Sequence, residues 1–447
     1  MFEAFFNIFK IPDLKKKLLI TFGLIAVYRI GAFIPTPGID SAKLVQFFEN
    51  IAQTSGGTLF GLFNIFSGGA MQRATIFALG IMPYISASII LQLLTAVIPH
   101  LERLAKEGEA GRRKITQYTR YGTIILAIVQ SFFIALWLEN PAHFQGEVIV
   151  PFGGLTFRIV TIITLTSGTA FIMWLGEQIQ EFGIGNGISL IITAGIISRL
   201  PGAMTQLVGL ISFSAEKRQI EPFTLLLMMV MFIAVVVAVI LITQGQRKIP
   251  VQYAKRIIGR KIYGGQSTYI PLRVNQAGVI PIIFAQSLIL FPATIASILP
   301  GKLLQDLATG LSNRGLAYNI IYALLIIFFC YFYTAITFNP IDVAENMKRY
   351  GGFVPGIRPG KATAEFLDHV MTRITLPGAI ALAIIAIIPT FISAGLKIPF
   401  LIASFFGGTS LLIIVGVMLD TVQQIESHLL TRHYEGFMKK GKLKGRR

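Results

Sequence analysis

The sequence predicts an all-α polytopic membrane protein with ten transmembrane helices. Apolar types make up 54 % of the 447 residues, whereas Asp, Glu, Lys and Arg together make up only 13 %. Mean hydropathy is +0.70. A soluble domain carries about one quarter charged residues, so this chain is built for lipid. Distribution agrees with composition: apolar residues form runs of span length, and basic residues cluster between them.

A helix needs about 20 apolar residues to cross about 30 Å of hydrocarbon. Suitable runs are 18–37, 74–98, 121–138, 158–175, 185–205, 223–243, 277–299, 317–338, 374–395 and 400–419. The first follows a basic patch, Lys15 to Lys17, and ends in Phe33-Ile-Pro-Thr-Pro-Gly38 instead of a small-residue cleavage site, so it reads as a retained helix. Arg199 and Pro201 interrupt the fifth, which resumes as far as Phe213. It is either one span with an interfacial extension or two spans. Charge arbitrates: with ten spans and the N-terminus inside, 29 of the 39 Lys and Arg residues fall on the cytoplasmic side, as the positive-inside rule requires. Eleven spans would put two of the strongest basic clusters outside. Both termini are therefore expected in the cytoplasm.

The formal net charge is +18. Its placement in short clusters between spans favours loops beside an anionic membrane surface over a nucleic-acid face. The internal loops 244–273 and 340–373 are the longest and mix Gly and Pro with apolar and basic residues. That pattern predicts ordered hairpins projecting from the membrane, suited to docking a partner; solvated loops that only orient the protein are the plain alternative.

Residues 55–72 are apolar but too glycine-rich and too short to span. An irregular backbone at membrane depth must be buried in protein or line a cavity, so a half-inserted element on the outer side is expected. Gly80-Ile-Met-Pro83 and Gly278-Val-Ile-Pro281 lie five spans apart. An odd offset is the mark of an inverted repeat, although two such short matches leave coincidence open.

Few ionisable residues fall at membrane depth: Arg29 in the first span, and Arg73, Arg158 and Asp420 near span ends. An ion-coupled transporter normally needs buried carboxylates or histidines, and spans two, three, six, seven, eight and nine have none. Cys330 is the only cysteine and the five histidines lack ligand spacing, so no disulfide, metal or cofactor is expected. The glycine-rich stretches lack the Lys-Ser/Thr ending of a phosphate loop, and no enzymatic activity is expected. A path lined by branched aliphatics would exclude water and ions yet yield to a bulky chain. The isoleucines at 81, 85, 89 and 90, at 188, 191 and 192, at 280, 282 and 283, and at 413 and 414 suit that task, with lipid or helix contact the alternative for each. A scaffold or insertase would need no such ring.

Six ordered stretches then point to one family: Ile76–Ser88 (IFALGIMPYISAS), Gly176–Ser189 (GEQIQEFGIGNGIS), Arg247–Arg256 (RKIPVQYAKR), Tyr269–Gly278 (YIPLRVNQAG), Phe353–Gly360 (FVPGIRPG) and Gly407–Leu412 (GGTSLL). With these, the chain resembles the SecY protein-conducting channels from its first helix to its C-terminal tail. The resemblance implies a clamshell of two pseudo-symmetric inverted halves, 1–214 and 215–432, with a basic tail over 433–447. It implies a pore constriction at Ile81, Ile85, Ile188, Ile191, Ile192, Ile280, Leu411 and Ile414. A plug is implied from about Leu62 to Gln72, including Phe63, Asn64, Ile65, Phe66, Ser67, Gly68 and Gly69. A lateral gate is implied between helices two/three and seven/eight, with Ser86, Ser88, Gln92, Asn275 and Gln286 as candidates. Arg247, Lys248, Lys255, Arg256 and Arg358 would form the docking face for the ribosome or the SecA motor ATPase. Implied partners are the small membrane subunits SecE and SecG, signal-sequence-bearing polypeptides and membrane lipids, at the cell inner membrane.

Overall fold

The computed structural model describes residues 11–54, 64–144, 146–210, 222–253, 256–258, 261–263, 267–298, 315–396, 398, 400–406 and 408–440. Helix α1 (Pro12–Gly31) starts with Pro in its first turn beside Asp13 and ends with Arg29 in its last. Each residue suits the helix end that it occupies. Helix α2 (Ser41–Thr54) follows.

The second predicted span is only partly helical. Thr75 bridges to Pro35, residues 76–81 form successive turns, and α3 (Met82–Val97) has Pro83 in its first turn, where a missing N–H costs nothing. Hydropathy cannot detect that break, because the turn residues Phe77, Ala78 and Leu79 are as buried and apolar as a helix core. Pro99 ends α3, and α4 (Pro99–Lys106) leaves at 100° to it. Helices α5 (Glu109–Glu139) and α6 (Leu155–Phe182) correspond to spans three and four.

The fifth span breaks at Ser198 and Arg199 into α7 (Gly187–Ile197) and α8 (Leu200–Leu210). Together these still qualify as one crossing, which supports the count of ten. The Asn186 side chain caps α7 by accepting from Ser189 N at 3.2 Å.

Helix α9 (Pro222–Gln244) leads into strands β1 (Gln246–Tyr253), β2 (Arg256–Ile258), β3 (Lys261–Tyr263) and β4 (Ser267–Arg273). After these come α10 (Ile280–Ile298), α11 (Leu316–Thr337), α12 (Pro340–Arg349), β5 (Gly352–Phe353), α13 (Lys361–Leu396), α14 (Phe400–Phe406) and α15 (Thr409–Lys440). Helices thus stand at all ten predicted spans. Seven pass on length and apolarity alone, and α3 with α4 passes as a bent pair.

Packing repeats with an offset of five spans. In the first half α3 packs on α5, α5 on α6, and α6 on both α1 and α7; in the second α10 packs on α11, α11 on α13, and α13 on both α9 and the α14–α15 pair. Alternating spans with an odd offset run in opposite directions, so the two halves are inverted copies. They meet at three places among the described residues: α3 and α5 against α10, α7 against α15, and α8 against α14. One continuous apolar core lies between them.

Of the two long loops expected to form hairpins, 244–273 does so through β1 and β4, whereas 340–373 folds as α12, β5 and the start of α13 and adds its one short strand to the same sheet. β1 pairs antiparallel with β4, from Gln246 opposite Arg273 to Gln252 opposite Ser267, and β5 pairs with the far end of β1. Ile249, Val251 and Leu272 face inward onto Met347, Leu367 and Val370, making a separate small core. Alternation along β1 turns Lys248 outward, and Arg247, near the start of the strand, is exposed as well.

Candidate functional site

Expected constriction residues come from four helices, or the turns before them, and all join the central core. Ile81, Ile85, Ile191, Ile192 and Leu411 are buried, while Ile188, Ile280 and Ile414 are half-buried against the same cluster. Ile188 and Ile191 also touch α6: their δ carbons would lie 2.5 and 3.5 Å from a Cβ added at Gly176. Those two therefore help pack α7 onto α6, where Gly187 sits on the Gly176 carbonyl.

Of the expected plug, Leu62 and Phe63 lie outside the described residues. Asn64 to Gly69 are all buried, with one helical turn over Asn64–Phe66 and left-handed glycines at Gly68 and Gly69 (φ 64° and 88°). The segment is tied to itself, since Asn64 Nδ2 donates to Gln72 Oε1 and Gln72 N to Asn64 Oδ1, both at 3.1 Å. It is also tied to both flanking spans. Arg29 of α1 and Ser198 after α7 donate to the Gly68 carbonyl at 3.3 and 3.4 Å, and Arg199 Nη1 donates to Gln72 Oε1 at 2.8 Å. Approach is close because both partners are glycine: a Cβ at Gly68 would stand 2.8 Å from Gly195 Cα. Arg199, which the sequence marked only as an interruption, is thus a contact residue of this segment, and no sequence periodicity links positions 127 residues apart.

Expected gate residues fall on both sides of the α3–α10 contact. Ser86 on α3 is buried, Ser88 and Gln92 half-buried, and Gln92 Nε2 donates to Ser88 Oγ at 3.2 Å. Gln286 on α10 is buried and its Nε2 has no partner among the described residues. Asn275 is spent locally, donating to the Gly278 carbonyl at 3.0 Å. Ser287 was missed although it follows Gln286: it bonds back to the Ile283 carbonyl at 2.8 Å and lies 3.9 Å from Met82 Sδ across the contact.

On the hairpin face Arg247, Lys248 and Arg358 are exposed, and Lys248 Nζ stands 4.7 Å from the Tyr269 ring centroid. Arg256 lies on β2, opposite Tyr263; Lys255 lies outside the described residues. A second link between halves occurs beside this face, where Gly185 N, before α7, donates to Gln424 Oε1 on α15 at 2.9 Å. The adjacent Gln423 accepts from Arg273 of β4 at 3.1 Å.

Two inverted halves closing on an aliphatic core, with a buried irregular segment against it, define a protein-conducting channel. The fold matches a solved protein-conducting channel with a TM-score of 0.64 at 19 % identity, covering 98 % of this chain and 99 % of that one. It also matches Sec61 of the canine ribosome–channel complex from the endoplasmic reticulum, with a TM-score of 0.61 at 18 % identity, covering 98 % and 99 %. The SecY family model matches residues 75–422, and the chain belongs to the SecY family. It is 51 % identical to the protein translocase subunit SecY of Escherichia coli K12 over 437 residues, 97 % of this chain and 96 % of that one. With the subunit of Streptomyces coelicolor it shares 50 % over 460 aligned positions, 98 % and 100 % of the two chains. The chain is a protein-conducting channel and not an enzyme.

Proposed function

We propose that this chain is the central channel of a Sec translocase in the cell inner membrane, with both termini in the cytoplasm. Unfolded secretory polypeptides pass between the halves 1–214 and 215–432 through a waist of Ile81, Ile85, Ile188, Ile191, Ile192, Ile280, Leu411 and Ile414. Branched aliphatic side chains exclude hydrated ions, because no group there replaces a hydration shell, yet they shift aside for a chain. Segment 62–72 is the plug that closes the far side. A signal sequence or apolar span leaves for lipid where α3 and α5 meet α10 and α11, a contact made of packing and few polar bonds. Helix contacts in lipid lack a hydrophobic driving force, so this one separates at small cost.

Energy comes from partners on the hairpin face, either the ribosome or the SecA motor. Arg247, Lys248, Lys255, Arg256 and Arg358 present guanidinium and ammonium donors for phosphate or carboxylate. SecE and SecG are the expected small subunits.

The observation that supports this reading is the burial of an irregular, glycine-hinged segment over Asn64–Gly69, packed on the core through Ile65 and Phe66 and hydrogen-bonded from α1 and the α7–α8 break. Deleting 62–72 should let small uncharged solutes leak through reconstituted vesicles while translocation persists. Vesicles that stay tight after the deletion would remove the plug from the mechanism.

A further inference from the structure

Three arginines converge on the segment over 64–72, and among the described residues none of them has a carboxylate partner. Arg29 and Arg73 lie over one ring, with their ζ carbons 5.5 and 4.6 Å from the Phe33 centroid. Arg199 is within electrostatic reach of both. Arg29 and Arg199 approach the adjacent glycines separately: a Cβ at Gly68 or Gly69 would stand 3.0 Å from Nη1 of Arg29 or Arg199 respectively. Arg73 is exposed, which opens the cluster to solvent, whereas Arg199 Nε is buried and has no hydrogen-bond partner among the described residues.

Like charges held together in a half-buried site destabilise one another unless a counter-charge joins them. Carbonyl and amide oxygens of Gly68 and Gln72 take two of the N–H groups, leaving donors on three separate elements that are unpaired among the described residues. Guanidinium forks match a tetrahedral oxyanion in a bidentate manner. An anion seated there would also bridge α1, the irregular segment and the α7–α8 break.

We propose that Arg29, Arg73 and Arg199 form an anion site that takes a phosphate group, free or lipid-borne, and that occupation pins the 64–72 segment. The site stands on its own geometry, and only the pinning rests on the plug reading above.

The test uses the full chain with Cys330→Ala and Ile65→Cys, in nanodiscs of phosphatidylcholine, titrated with inorganic phosphate against chloride at matched ionic strength. Phosphate should raise the thermal unfolding midpoint saturably and slow thiol modification at position 65 at least threefold, whereas chloride should do neither. Arg199→Gln and Arg73→Gln should each weaken the phosphate response tenfold or more. The exposed position of Arg73 keeps its variant informative if the other does not fold. Discs containing phosphatidylglycerol that show the protection without added phosphate identify the lipid as the source. Responses that follow ionic strength whatever the anion, or that are unchanged in Arg73→Gln, overturn the site. A raised midpoint without any change at position 65 keeps the site and overturns the pinning, whereas the plug reading stands or falls by the leak assay on the 62–72 deletion.

Discussion

Gly195 of α7 lies directly against the irregular segment: a Cβ added there would stand 3.3 Å from the Phe66 carbonyl oxygen and 3.2 Å from the Tyr28 hydroxyl. A single hydrogen atom at this position is what lets the segment sit between α1 and α7.

Gly195→Val should therefore displace the segment. Overpacking of this kind costs about 1–3 kcal/mol, and here the segment, held by few bonds, gives way before the helices do. The expected outcome is a several-fold rise in solute leak from resting vesicles with little change in unfolding temperature. The same leak as the unsubstituted chain would contradict it.

Gly168→Ala meets a different neighbour. Its Cβ would fall on the Ile76 carbonyl, a backbone group that cannot rotate away. This variant should lose stability by at least about 1–3 kcal/mol, visible as a lower thermal midpoint in detergent.

At the α3–α10 contact, the buried Nε2 of Gln286 has no partner among the described residues, and an unmade bond there costs about 1–3 kcal/mol. Gln286→Leu should make the closed contact more stable. Export of a substrate with a weak signal sequence should fall several-fold, while one with a strong signal is nearly unaffected. Improved export of the weak substrate would show that the glutamine does not loosen the closed state.

On the hairpin face, Arg358→Glu changes an exposed charge, and such substitutions alter stability by no more than about 0.5 kcal/mol. Partner-driven translocation should drop tenfold or more with an unchanged thermal midpoint. A lowered midpoint would assign Arg358 to folding instead of docking.

The sequence made the helices legible because crossing hydrocarbon demands long apolar runs, and Arg199 with Pro201 correctly marked the break between α7 and α8. It did not reveal that residues 76–81 are turns, since burial in protein and burial in a helix need the same side chains. β5 joining β1 was invisible for another reason: Phe353 pairs with Gln252 across 101 positions through backbone bonds that leave no pattern in side chains. Register limited the aliphatic residues as well. Ile188 and Ile191 share the isoleucine signature of Ile192, and only the contact with Gly176 distinguishes their surroundings.

The most direct measurement of the central claim places single cysteines at Ile81, Ile85, Ile192 and Ile280, with Ile233 on the exposed side of α9 as control, and crosslinks each to a secretory chain arrested midway. Strong crosslinks at the four core positions and none at Ile233 are expected. Equal labelling at all five, or labelling confined to Ile233, would contradict passage between the two halves.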